Sequence, residues 1–198
     1  PLVAAFASTF VGLMLTGGFH EDGLADLTDG LGGSMKREKA LEIMKDSRIG
    51  SFGTLSLIIA LGGKISLLTL LGQQDIILAC LALFGAHISS RFTPLFLIRF
   101  QSHVGDEAGS KSKPLSDAIS WPTFSVGIIW WLASLVLLHF LYPDVPWWGA
   151  VVGTVITLIW MFRLLVKRLG GFTGDGLGAT QQICEIGFYL GLLLVMQT

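Results

Sequence analysis

The chain has 198 residues, a formal net charge of -1 and only 14% charged side chains, while 52% are apolar, with six Trp and thirteen Phe. A typical soluble domain carries about 25% charged residues, so this is a membrane composition. With a mean hydropathy of +0.70, no excess of base points to nucleic acid and no excess of acid points to a basic partner.

In chain order, the apolar stretches 1–16, 52–71, 76–98, 121–141, 147–166 and 183–196 come near or reach the roughly 20 residues that cross a bilayer. The first looks cut off at its start and the last is short. The expectation is an all-α, polytopic membrane bundle of about six spans, forming one catalytic unit over 1–198. The start at Pro1, inside an apolar run, reads as the C-terminal portion of a longer protein rather than as a signal peptide. Cys80 and Cys184 lie far apart in apolar stretches, as buried free thiols do.

Three polar loops separate the spans, at 17–51, 99–120 and 167–182, with two short links near "GQQD" and "YPDVPW". Lys36, Arg37, Lys39, Lys45 and Arg48 fall in the first loop, Arg99, Lys111 and Lys113 in the second, and Arg163, Lys167 and Arg168 at or before the third. The links carry no base. Eleven of the thirteen bases therefore lie on alternate connections, which the positive-inside rule places in the cytoplasm. Lys64 and Arg91 lie within spans, where a charge is costly and marks a candidate site unless it snorkels to the surface. Residues 34–47 read as a helix for the membrane interface, with Met35, Leu41 and Met44 as its apolar contacts.

The first loop opens with "GGFHEDGLADLTDGLGG", which holds four carboxylates and six glycines in seventeen positions. Asp22, Asp26 and Asp29 are spaced i, i+4, i+7 and fall within about 60° of one another on a helix. No base lies between Pro1 and Lys36, so the acids repel, and a divalent cation relieves them. Oxygen ligands suit Mg²⁺ or Mn²⁺, not zinc. The glycines let a large substrate approach the backbone; a solvated acidic cap is the plainer reading. His20 abuts the acids and can orient one.

A second cluster, "GGFTGDGLGA" at 170–179, reads equally as a flexible linker or as a loop whose N–H groups cradle phosphate and whose Asp175 adds a metal oxygen, and its place on the same side as the Asp cluster favours the second. It lacks the ending of a Walker A loop. Glu185 follows inside the last span and should face the bundle interior. In "MKDSRIGSFG", 44–53, Asp46 can join the acid set and Arg48 can hold a phosphate. Glu38 and Glu42 have Arg37, Lys39 and Lys45 for neighbours and read as surface pairs. His87, His103 and His139 have no evident partner.

"TGGFHEDGLADLTDG", "REKALEIMKDSRIGSFG" and "GGFTGDGLGA" resemble, in this order, the motifs of the cobalamin (5′-phosphate) synthase family, the adenosylcobinamide-GDP ribazoletransferases of the bacterial inner membrane. The likeness spans nearly the whole chain, and the family has an upstream arm with another apolar span. It implies a multi-pass enzyme whose active site faces the cytoplasm. A ribose hydroxyl of α-ribazole or its 5′-phosphate attacks the phosphate next to cobinamide in adenosylcobinamide-GDP. GMP leaves, and adenosylcobalamin or its 5′-phosphate forms, the last assembly step of cobalamin biosynthesis.

The family is Mg²⁺-dependent. Matched by position, its motif acids are Asp22, Asp26, Asp29 and Asp175, while Asp46 and Arg48 fall in its M-x-D-S-R-x-G stretch. Glu21 stands where the family often has an apolar residue, and Gln182 where a Glu is expected. The candidate catalytic residues are thus Asp22, Asp26, Asp29 and Asp46, with the general base open between Asp29 and Asp46. Asp22, Asp26, Asp29 and Asp175 are candidate ligands for one or two ions. His20, Arg48, Lys64, Arg91, Gly174, Asp175 and Glu185 are candidate substrate contacts. An oligomer is left open.

Two other readings compete. A CDP-alcohol phosphatidyltransferase shares the Asp-rich membrane helix, but its signature D-G-x-x-A-R, with a later Gly and two Asp at fixed spacing, is not met after Asp22-Gly23. A cation-coupled transporter would hold its acids near the bilayer midplane, whereas these gather at one face.

Overall fold

The computed structural model describes residues 1–104 and 118–196. Its helices are α1 (Leu2–Thr16), α2 (Phe19–Gly33), α3 (Arg37–Met44), α4 (Ser51–Gln74), α5 (Ile76–Phe100), α6 (Trp121–Leu141), α7 (Trp147–Leu169) and α8 (Gly174–Met196). No strand is present among the described residues beyond one isolated bridge, His103 to Phe172. The all-α expectation is met. Five helices, α4 to α8, are long and apolar enough to cross a membrane, or six spans if α1 and α2 count as one bent span. Val3, Leu15, Ile59 and Phe140 are 72–83% exposed on the outside of the bundle. Water would not tolerate so wide an apolar surface; lipid does.

The chain breaks between α1 and α2, which meet at 88°. Gly17 and Gly18 sit at φ of 65° and 70°, the left-handed region that side chains disfavour. This turn sets the acid-bearing helix at a right angle to α1. The polar connection 17–51 holds two helices, α2 with the acid stripe and α3. The helix expected over 34–47 is only Arg37–Met44; Ala40 and Met44 are buried, whereas Met35 is 82% exposed. The apolar side of α3 is spent on α2: a Cβ on Gly30 would lie 2.8 Å from the Ala40 carbonyl.

Helix α8 runs through the centre, with Tyr189, Phe188 and Leu192 fully buried. Gly149 and Gly153 of α7 face Gly187 and Gly191 of α8 so closely that a Cβ on Gly153 would collide with the Gly187 carbonyl. This is the small-residue crossing by which membrane helices pack when no hydrophobic effect draws them together. The last helix starts at Gly174, nine residues before the apolar stretch that predicted it. The 170–179 stretch is therefore a loop only as far as Thr173. Its glycines read as flexible, but Gly178 instead admits α2, with a Cβ there 3.2 Å from His20 Cα.

The alternate connections do share one end. Arg168 Nη2 donates to the carbonyls of Leu31 (2.9 Å) and Ser34 (2.7 Å), and Arg37 Nε to that of Leu169 (2.6 Å). Arg168 thus caps the C-terminus of α2, and Arg37 that of α7, where carbonyls lack partners and cations are favoured. Phe172 exchanges backbone bonds with Ser102 and Val104, bringing the second and third loops together. Lys111 and Lys113 lie outside the described residues. The short links without bases meet too: Tyr142 Oη donates to Asp75 Oδ2 at 2.9 Å.

Candidate active site

Two apolar clusters fill the bundle. One surrounds Leu71, Leu138, Trp147 and Leu192, and the other surrounds Leu27, Leu97, Met161 and Phe172 at the end with the basic connections. The candidate site occupies the polar ground between and above them, where α2 lies against α8.

At Gly23, α2 touches the first turn of α8: a Cβ there would stand 2.8 Å from the Asp175 carbonyl oxygen. The contact gathers acids that are far apart in sequence. Asp26 feels the charges of Asp175, Asp22 and Asp29, in that order, and Asp175 feels Asp22. Asp22 is exposed, while Asp26 and Asp175 are half-buried. Among the described residues none of the three has an ion-pair partner. Thr173 Oγ1 accepts from Gly176 N at 3.0 Å and caps α8. The space beside Gly174 is open, so the first turn of α8 presents N–H groups and the positive end of its dipole near the acids.

Asp29 belongs to the same helix but does other work. Its Oδ2 accepts from Gly50 N at 2.7 Å and its Oδ1 from Gly53 N at 2.8 Å. Both oxygens cap the start of α4. The i, i+4, i+7 stripe thus divides: two acids face α8, and the third holds the loop that follows α3.

Asp46 and Arg48 of that loop pair with each other, Nη2 to Oδ2 at 2.6 Å. The Arg48 guanidinium holds the exposed Asp46 carboxyl down to about 2. A carboxylate so acidic is a poor proton acceptor near neutral pH. On the other face of α3, Lys39 pairs with Glu42 at 2.8 Å, as surface pairing predicted; Glu38 is exposed in its first turn.

Deeper in the bundle lies a network that the sequence only hinted at. Lys64 Nζ is 2.6 Å from Glu185 Oε1, and both side chains are at least nine-tenths buried. Gln181 Nε2 donates to Glu185 Oε2 (3.0 Å) and to Ser90 Oγ (3.0 Å), and Tyr189 Oη to Glu185 Oε1 (3.1 Å). Gln182 Nε2 bridges Gln181 Oε1 (2.8 Å) and Glu21 Oε1 (2.9 Å). A chain of buried polar groups therefore runs from the first turn of α2 to the middle of α8. Glu21 Oε2 is buried without a hydrogen-bond partner among the described residues.

The in-span bases Lys64 and Arg91 prove different. Lys64 is buried in its ion pair. Arg91 is exposed, with Nη1 2.6 Å from His87 Nδ1 and 3.1 Å from the His87 carbonyl. His87, which had no evident partner in the sequence, also lies 3.8 Å from Glu185. His20 stands where the two polar groups meet, within the fields of Arg91, Glu21, Glu185 and Lys64. His103 packs its ring on Phe172, centroids 5.3 Å apart. His139 lies in the last turn of α6.

The sequence reading missed Gln181 and Tyr189, and marked Glu21 and Gln182 only as departures from the motif. The signal was there: Gln181, Glu185 and Tyr189 recur every four residues in an apolar span, one face of a helix.

Among the described residues no three His, Cys, Asp or Glu side chains are grouped closely enough to form a metal site by themselves. Mg²⁺ does not demand one, since it binds through one or two carboxylates plus phosphate oxygens and water. Asp22, Asp26 and Asp175, oxygen donors without a cationic partner, fit such a shared site.

Residues 1–193 match the family described as Cobalamin-5-phosphate synthase. The chain is 51% identical to the "Adenosylcobinamide-GDP ribazoletransferase" of a Polaromonas species (strain JS666), over 97% of this chain and 73% of the relative. It is 50% identical to the protein of that name from Albidiferax ferrireducens, over 97% and 74%, and 43% identical to that of Vibrio cholerae, over 98% and 72%. No solved structure matches.

Proposed function

The chain belongs to the cobalamin-5-phosphate synthase family, and we propose that it joins α-ribazole or its 5′-phosphate to adenosylcobinamide-GDP at the junction of α2 and α8. It is a multi-pass membrane enzyme of the final cobalamin assembly step. The observation that carries the site is the contact at Gly23, which brings Asp22 and Asp26 up to Asp175.

In this reading a ribose hydroxyl of the ribazole attacks the phosphorus next to cobinamide. An oxygen–phosphorus bond forms, the bond to the GMP oxygen breaks, and GMP departs with the electron pair. Such a transfer asks little covalent work of a protein; it asks for position and for relief of negative charge. Asp22 and Asp175 would hold Mg²⁺, which would supply that relief and leave the Asp26 carboxylate free. The N–H groups of the first turn of α8 at Gly174 and Asp175 face the diphosphate. The hydroxyl proton passes to Asp26, the carboxylate around which the other three gather. Asp29 and Asp46, between which the sequence left the general base open, are occupied by the cap on α4 and by Arg48.

His20, Arg91 and the Lys64–Glu185 group lie below the acids, on the bundle side, and take the polar groups of the cobinamide part. The basic end of the bundle faces the cytoplasm of a bacterial inner membrane, by the positive-inside rule. The test is direct. Membranes holding the chain, given adenosylcobinamide-GDP and α-ribazole 5′-phosphate, release GMP in step with a cobalamin product. GMP release without ribazole would mark a hydrolase and reject the transfer.

A further inference from the structure

Away from the acids, a cavity of about 500 Å³ lies between α5, α6 and α7, roughly three times the ~150 Å³ that holds a benzene in a protein core. None of its lining residues belongs to α2 or α8. Phe92, Phe96, Phe124, Trp131, Leu158 and Phe162 form half of its lining. Phe92 and Trp131 stack with centroids 5.1 Å apart. The one charged residue on the lining is Arg163, which sits toward the basic end of α7.

A second base stands at that end. Phe162 meets Phe96, Phe96 meets Phe100, and Phe100 meets Trp121, with centroids 4.5–6.3 Å apart. Over Trp121, at 4.1 Å, lies the guanidinium of Arg99. Gln101 Nε2 donates to the Phe162 carbonyl at 3.2 Å. Arg99 Nε and Gln101 Oε1 are both buried without a hydrogen-bond partner among the described residues. A buried guanidinium N–H with no acceptor is costly, and its best complement is a planar or tetrahedral oxyanion. The cavity thus has an aromatic body with Arg163 on its lining, and the ring contacts that run from Phe162 to Trp121 lead out of it to a second cation with an unmet donor, Arg99.

We propose that this groove holds an anionic phospholipid, with an acyl chain in the cavity and the phosphate between Arg99 and Arg163. A zwitterionic lipid offers the same chain but cancels its own charge at the head, and a free phosphate offers no chain.

The experiment is native mass spectrometry of the full chain in detergent, with phosphatidylglycerol and phosphatidylcholine of identical acyl chains added in equal amounts. The expected result is one phosphatidylglycerol retained under activation that strips phosphatidylcholine. Arg163→Gln changes an exposed side chain and leaves the core intact; it should lower that retention about fivefold. Lys167→Gln, a base of the same helix outside the groove, should leave it unchanged. Val155→Trp fills the cavity without touching the bases and should abolish retention. Equal retention of the two lipids, or retention indifferent to Arg163→Gln, overturns the proposal. So does displacement of the lipid by inorganic phosphate alone or by α-ribazole, which would make the groove an anion or substrate site.

Discussion

Gln182 donates its side-chain N–H to Glu21 Oε1 across 2.9 Å, joining α8 to the first turn of α2. These are the two positions at which the chain departs from the motifs it resembles, and they turn out to be neighbours. A carboxylate at 182 beside an apolar residue at 21 would leave one buried acid; the present pair also leaves one. We expect the swap to be coupled. Gln182→Glu alone sets two buried carboxylates face to face, whereas Gln182→Glu with Glu21→Leu relieves them. A double-mutant cycle on melting temperature in detergent should show coupling of about 0.5–3 kcal/mol. Strict additivity would mean that the contact does not hold.

Asp22→Asn and Asp26→Asn should each lower kcat by about 100-fold or more while the protein still inserts, because charge relief at the phosphate dominates such transfers. Asp175→Asn should raise the Mg²⁺ concentration needed for half-maximal rate, with partial recovery at high metal. Activity titrated against Mg²⁺ for each variant is the measurement. Superimposable metal curves for Asp175→Asn and wild type would remove Asp175 from the ion.

Asp29 is expected to behave as a cap. Asp29→Ala removes the acceptor for two backbone N–H groups at the start of α4 and should cost about 1–2 kcal/mol of stability. Asp29→Asn keeps one acceptor, so its loss should be smaller, and the Mg²⁺ dependence of the remaining activity should not move. A rightward shift of that dependence would return Asp29 to the metal.

Lys64→Met strands Glu185 as an uncompensated buried acid and should destabilise by about 3–5 kcal/mol. Glu185→Gln in the same chain removes the stranded charge and should restore most of the loss. Because the proposed site sets this pair against the cobinamide part, the double variant should be stable yet show a raised KM for adenosylcobinamide-GDP. Thermal melts and initial rates on the same preparations separate the two effects.

Asp75 links the two short connections and caps α5 through Ile77 N (2.6 Å) and Leu78 N (3.0 Å). The Leu78 N–H and then the Tyr142 hydroxyl hold its carboxyl below the usual range. A depressed folded value stabilises the fold above the unfolded value, and that contribution is lost as pH falls through the folded one. The melting temperatures of wild type and Asp75→Ala should therefore differ at pH 6–7 and converge as the solution is acidified below about pH 4. A gap that persists at low pH would place the effect in packing instead.

Much of this protein can be read from the chain. Composition and run length determine a helical membrane protein, because a bilayer leaves no other way to satisfy the backbone of such apolar segments. The motifs carry the family, and the alternation of basic connections foretells which loops meet. Even the helical spacing of Asp22 and Asp26 follows from one local rule. What no local rule supplies is which side chain faces which helix. Asp22, Asp26 and Asp29 are equivalent by spacing, yet two turn to Asp175 and one turns to the N–H groups of Gly50 and Gly53. Glycines that read as a loop at 174–178 prove to be helix, since glycine's missing side chain matters there as room for α2. Lys64 reads as an isolated charge until α4 and α8 pack and Glu185 meets it. The tertiary structure decided these points because each is a contact between residues about 20 to 160 positions apart, whose energy exists only once the helices are side by side.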